Sequence, residues 1–184
     1  MKREAIEIGK LLFYTKLIDG ASGNISFKEG DKILITKSGA NLDSLDISDF
    51  VSIEDSSASR DKNVHAKIYA YTDFNAVVHC HGIFNVVLSL KEDEIFPLDL
   101  EGRIYFRKIP VVKEEFGSED YADKVAEFVR DSGVAVARGH GIYSGGKNLR
   151  DAFNRACYVE HSCEILYYSK LLNELEHCKS WKEF

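Results

Sequence analysis

The chain has 184 residues, of which 45% are hydrophobic, 29% charged and 11% aromatic, with 30 acidic against 24 basic side chains and a net charge of −6. That length fits one compact domain with its own core, and the composition excludes a disordered chain, which would carry less apolar material and more net charge. The acidic balance and the absence of a dense Lys/Arg tract argue against nucleic acid as a partner, while permitting a local cationic pocket for a small anion.

In chain order, Ile6, Leu11, Leu12, Tyr14 and Ile18 fall at roughly helical spacing and predict an amphipathic helix over residues 2–18, stopped by IDGASG. The β-rich runs NISF and KILIT flank the turn-forming KEGD and predict a hairpin. After KSGANL, a short acidic turn or helix (LDISDF) precedes a strand, FVSIE, and the polar loop DSSASRDK leads into a helix over residues 62–72. The short β-branched run AVVHCH, closed by Gly82, reads as a buried strand, and residues 83–90 as a helix. A strand near KIPVV, a helix over SEDYADKVAEFVRDS, a strand GVAVA and a long helix from about Asn148 to Glu176 follow. Pro97 and Pro110 mark a loop and a strand edge, and EDEIFPLDLEGRIYF between the histidine sites is assigned no element. No repeat or low-complexity linker interrupts the pattern, so one α/β domain over residues 1–184 is expected.

MKREAIEIGKLLFYTK lacks the apolar stretch and cleavage site of a secretion signal, and no apolar run approaches the roughly 18 residues that cross a bilayer. The expectation is a cytoplasmic protein without a membrane partner. Cys80, Cys157, Cys163 and Cys178 form no C-x-x-C pair and read as free thiols or small buried hydrophobes.

His79-Cys80-His81 is the most informative tripeptide. On a strand, side chains at i and i+2 share a face about 6.7 Å apart, so two imidazoles can converge on one ion at bonds of about 2.0–2.1 Å. Cys80 then faces the opposite side. The same spacing also suits two packed core histidines without a metal. His140 stands between Gly139 and Gly141 at the end of GVAVA, placed either to project into a site or to face solvent. Three histidines at separated strand ends match a known catalytic zinc arrangement with an open position.

A carboxylate is expected nearby as ligand or base, and Asp61 is the candidate, at the entrance of the helix carrying His65. Asp61 also suits a plain helix-terminal charge. His65 reads as structural or as a support to the site, and His161 and His177 as surface or packing residues of the last helix. Gly23-Asn24, Ser38-Gly39 and Ser59-Arg60 combine backbone N–H groups, small hydroxyls and one guanidinium in turns, which suits an oxyanion. Each is also ordinary turn chemistry.

The ordered series ASGNIS, LITKSG, ASRDKNVHAKIY, NAVVHCH and GHGIYSGG resembles the class II aldolase/adducin superfamily from about residue 5 to residue 175. That resemblance implies a three-layer α/β/α sandwich with a central, mostly antiparallel sheet, assembled as a homotetramer with sites between subunits. It implies zinc, one per subunit, on His79, His81 and His140, with Asp61 as fourth ligand and proton shuttle. Another divalent ion such as manganese or iron also suits this donor set. Phosphate binding passes to Asn24, Ser38, Gly39 and Ser59, with Gly23 shaping the loop.

The implied activity is reversible retro-aldol cleavage of a fuculose-1-phosphate-like ketose to dihydroxyacetone phosphate and an aldehyde. Epimerisation or dehydration on the same metal site, and a non-catalytic scaffold as in the adducin branch, are the alternatives. The chain departs from the aldolase pattern at Ser59-Arg60-Asp61, where aldolases carry Ser-Ser-Glu. Aspartate also stands there in the epimerases, and Arg60 stands where the pattern has a phosphate-binding serine. The family's tyrosine proton donors are not placed by the motifs, and Glu101 and Tyr105 are the candidates for that role.

Overall fold

The computed structural model describes residues 1–178, with side chains described through residue 173. Eight strands form one open sheet in the order β3-β2-β1-β4-β8-β7-β6-β5. They are β1 (Asn24–Glu29), β2 (Lys32–Thr36), β3 (Phe50–Ser52), β4 (Ala76–Cys80), β5 (Glu94–Ile95), β6 (Ile109–Val112), β7 (Val134–Ala137) and β8 (Gly141–Gly146). Every neighbouring pair is antiparallel except β6 and β7. The helices are α1 (Lys2–Tyr14), α2 (Lys62–Tyr71), α3 (Ile83–Ser89), α4 (Leu100–Tyr105), α5 (Glu119–Ser132) and α6 (Leu149–Cys178). Two short 3₁₀ turns, Leu42–Ser44 and Ile47–Asp49, occupy the acidic stretch before β3.

The alternation of side chains along the strands divides the core in two. Ala76, Val78 and Cys80 of β4 pack with Ile8 and Leu12 of α1 and with Ala152, Ala156 and Val159 of α6. Val77 points the other way, with Ala135, Ala137 and Tyr143, against Val64 and Ile68 of α2 and Val125 and Val129 of α5. Helices on both faces of a mostly antiparallel sheet make the expected three-layer α/β/α sandwich. His79 shares the parity of Val77 and so faces the α2–α5 layer. Asp61 stands at the start of α2 there.

Four elements differ from the sequence expectation. The first helix ends at Tyr14, because Lys16 takes a left-handed φ of 59° and turns Leu17 and Ile18 into the core. GIYSGG, assigned no element, is β8, a central strand between β4 and β7. The unassigned EDEIFPLDLEGRIYF contributes β5 and α4, each too short to show a period. Pro97 lies in the loop between those two and Pro110 within β6 opposite Glu94. Cys80, Cys157 and Cys163 are free thiols, while the side chains of His177 and Cys178 lie outside the described ones. No helix among the described residues is long and apolar enough to cross a membrane.

Candidate metal centre

Three imidazoles from separate parts of the sheet meet at one end of it. His79 lies near the end of β4 with its ring stacked on Tyr143 at a centroid distance of 4.0 Å and an angle of 14°. His81 follows just past the strand end, its backbone N–H held by the Leu17 carbonyl at 2.7 Å. His140 sits in the tight turn from β7 to β8, where its N–H donates to the Ala137 carbonyl at 3.0 Å. Its ring lies 4.7 Å from that of His79 and 4.6 Å from that of His81. One ring nitrogen of each residue lies within 4.8 Å of the others. Cys80 points into the opposite core and takes no part.

The chemistry of this donor set fits a divalent cation. His79 Nδ1 lies 2.9 Å from the Ile142 carbonyl, an acceptor only, so Nδ1 carries the proton and Nε2 presents a lone pair. That Nε2 lies 2.8 Å from Nε2 of His81. Burial pushes the proton affinity of all three rings down, well below the ordinary range for His79 and to about 4 for His81. Neutral imidazoles gathered around one point at neutral pH are what zinc and similar ions bind.

Asp61 adds the carboxylate. It makes no cap bond to its own helix. Instead Oδ2 accepts from Asn24 Nδ2 at 2.8 Å and lies 3.5 Å from His79 Nε2. Burial alone would raise this carboxyl, but positive charge at the His79 site and the Asn24 hydrogen bond outweigh it and hold the group below its ordinary range. An ionised carboxylate therefore stands against the three imidazoles.

Residues 3–167 match the family described as Class II Aldolase and Adducin N-terminal domain. The chain belongs to this family. An L-fuculose phosphate aldolase of Methanocaldococcus jannaschii is 32% identical over 94% of this chain and 99% of its own length. The crystal structure of L-fuculose-1-phosphate aldolase from Thermus thermophilus superposes with a TM-score of 0.87 at 32% identity, covering 92% of this chain and 94% of that one. A 5-deoxy-D-ribulose 1-phosphate aldolase of Bacillus thuringiensis is 25% identical over 94% of this chain and 87% of its own.

In this class II aldolase-type chain Asn24 and Ser59, two of the residues read as an oxyanion site, contact Asp61. Asn24 opens β1 opposite His79 in the ladder. Gly23 precedes it with φ of 78°, and a Cβ there would stand 2.7 Å from the His79 carbonyl oxygen, so only glycine lets β1 start this close to the histidine cluster. The Ser38-Gly39 turn and the Ser59-Arg60 loop are stitched together by Ser38 N–H to the Ser57 carbonyl at 2.9 Å and Ser59 N–H to the Thr36 carbonyl at 3.0 Å. Ser59 is buried and its Oγ accepts from the Asp61 N–H at 3.3 Å. Arg60 is exposed and lines a cleft with Asp61, Phe116 and Tyr121.

Three other residues take defined places. His65 is fully buried on α2 and outside the metal group, with Nδ1 2.6 Å from Ser26 Oγ, which in turn lies 2.8 Å from the Tyr69 hydroxyl. Tyr105 stacks on Tyr158 at 4.4 Å and lines a cavity with Phe74 and Gly133. That cavity lies where β4 and β7 begin, the opposite end of the sheet from the histidines. Glu101 is exposed on the same helix, α4, so within one chain neither proton-donor candidate reaches the cluster. Sequence reasoning missed Tyr143 and Tyr121. Tyr143 pairs with His79 across β4 and β8, a relation visible only once β8 is recognised. Tyr121 carries the helical periodicity of α5 and so resembled an ordinary core position.

Proposed function

We propose that this chain is a zinc-dependent lyase that cleaves a phosphorylated ketose, of the fuculose-1-phosphate kind, reversibly to dihydroxyacetone phosphate and an aldehyde. The observation that carries the reading is the convergence of His79, His81 and His140 beside the ionised Asp61. These four residues hold the metal. Zinc bound there supplies Lewis acidity to the ketose oxygens on which negative charge builds.

The chain's own groups supply the remaining chemistry. In the cleavage direction the C3–C4 bond breaks, its electron pair stays on the C3 side, and the ionised Asp61 takes the proton of the C4 hydroxyl as the aldehyde forms. Asp61 then delivers a proton to C3, and in the reverse direction removes it. Burial and the Asn24 hydrogen bond keep this carboxylate fixed within reach of the centre. Gly23, Asn24, Ser38, Gly39, Ser59 and Arg60 hold the phosphate, and binding at that remote end orients the reacting carbons. Arg60 adds a full positive charge to an otherwise neutral loop set and favours a dianionic phosphate.

Residues 1–184 act as a single class II aldolase-like domain, working in the cytoplasm as a homotetramer with sites between subunits. The apolar outer face of α3 supports the assembly, since Ile83, Val87 and Leu90 stand exposed immediately after His81. Retention of all three histidines argues against a scaffold without chemistry.

The test is a panel of ketose 1-phosphates incubated with purified protein, with and without chelator, and assayed for dihydroxyacetone phosphate. Chelator-sensitive release that Asp61→Asn abolishes supports the reading. A product that keeps the full carbon count overturns it in favour of an epimerase or dehydratase on the same centre. Absence of stoichiometric zinc together with absence of turnover points to the scaffold.

A further inference from the structure

Tyr143 and Tyr121 are nearly inaccessible to solvent, at 0% and 2% exposure, yet each carries a hydroxyl where phenylalanine would fill the same space. A buried hydroxyl needs a partner, and these two find one another, Tyr121 donating to the Tyr143 oxygen at 3.1 Å. With its only proton committed to Tyr143, the Tyr121 oxygen can only accept from a further neighbour. That neighbour is Nδ1 of His140, at 3.5 Å. Phe116 stands edge-on to both His140 and Tyr121, at 4.9 and 5.4 Å, which keeps apolar surface around the contact.

The consequence is directional. A ring whose Nδ1 faces an acceptor carries its proton there and leaves Nε2 with a lone pair. His79 is already fixed in this way by the Ile142 carbonyl, and the Tyr143 ring lies flat against its face. We propose that Tyr121 and Tyr143 are positioning residues of the metal centre, which hold His140 and His79 with their Nε2 lone pairs aimed at one point. This rests on the metal-binding reading given above. One pair of phenols thereby braces two ligands from two different strand ends, and the hydroxyls, not only the rings, have a role.

The test uses Tyr121→Phe and Tyr143→Phe in the full chain, both of which keep the ring and its packing. In metal-free protein labelled with ¹⁵N-histidine, His140 of the wild type should show a protonated Nδ1 and a bare Nε2. In Tyr121→Phe that preference should relax toward a mixture, and affinity for Co²⁺, read from its visible absorption, should fall about 10- to 100-fold. Tyr143→Phe should shift the His140 tautomer at least as far, because the Tyr121 proton, no longer committed to Tyr143, can then donate to His140 Nδ1. Unfolding in urea is followed in each variant, and only those that retain a cooperative transition are compared. An unchanged His140 tautomer with unchanged Co²⁺ affinity in Tyr121→Phe overturns the proposal. Wild-type protein that takes up no Co²⁺ refutes the metal-binding reading instead, and the tautomer measurement then decides the tyrosine pair on its own.

Discussion

Asn24 and His79 face each other across β1 and β4, and the Asn24 side chain donates to the carboxylate that lies 3.5 Å from the His79 imidazole. Strand register thus sets the distance between Asp61 and His79. Because side chains alternate, a slip of one residue in β1 would turn Asn24 to the opposite core. Asn24→Ala removes a buried hydrogen bond to a charged acceptor, and the expected loss of unfolding free energy is about 2 kcal/mol. The Asp61 carboxyl should also lose part of what holds it down and titrate at higher pH. Urea unfolding of metal-free protein checks the first, and a loss under about 0.5 kcal/mol would show that Asp61 finds its stabilisation elsewhere.

Much of this arrangement could be read from residues alone, for identifiable reasons. AVVHCH was legible because β-branched residues run without interruption up to the histidines, and α2 and α5 because their apolar positions repeat at helical spacing. GIYSGG was not, because its place in the sheet asks for absent side chains. A Cβ on Gly141 would stand 2.2 Å from the Cys80 carbonyl oxygen, and one on Gly145 would stand 2.3 Å from the Phe74 ring. Three glycines chosen for close approach erase the strand signal. The tyrosine brace was hidden for a different reason. Its two members come from α5 and β8 and meet only through packing of helix on sheet, which local periodicity does not encode.

Arg60 offers a test of the substrate's charge. It is exposed, and no ion pair to it is found among the described residues. A residue that contacts the remote phosphate equally in ground and transition states affects KM more than kcat. Arg60→Ala should therefore raise KM for a phosphorylated ketose about tenfold, the loss of one charge-assisted hydrogen bond, with kcat within about twofold. Inhibition by inorganic phosphate should weaken in parallel. A fall in kcat at constant KM would place Arg60 at the reacting end.

His65 makes the fold sensitive to acid independently of the metal. Burial, opposed only in part by the Asp61 charge, lowers its pKa from 6.5 to about 4. A depressed histidine means that the unfolded chain binds more protons than the native one below pH 6.5. The contribution is complete above the unfolded value and is lost progressively as pH falls toward 4. Its full size is about 3 kcal/mol, at about 1.4 kcal/mol per tenfold change in proton concentration. Replacement by a residue that does not titrate, His65→Gln, should flatten the slope of unfolding free energy between pH 6.5 and 4. Identical slopes in wild type and variant would assign the acid sensitivity to other groups.

Metal removal should register in stability as well as in turnover. A ligand that binds only the native state adds about 2.7 kcal/mol when present at one hundred times its dissociation constant. For a chain of this size that is a rise in Tm of roughly 5–10 °C, reversed by chelator. The effect must vanish in His79→Ala and His140→Ala, because the three nitrogens that lie within 4.8 Å of one another are then reduced to two. Asp61→Asn keeps all three imidazoles and should keep most of the shift while abolishing turnover, since the amide retains an oxygen toward Asn24 but carries no proton between substrate atoms. Equal shifts in wild type and in both histidine variants would mean that zinc binds elsewhere on the surface. A full shift in wild type with unimpaired turnover in Asp61→Asn would separate metal binding from proton transfer and move the base to another residue.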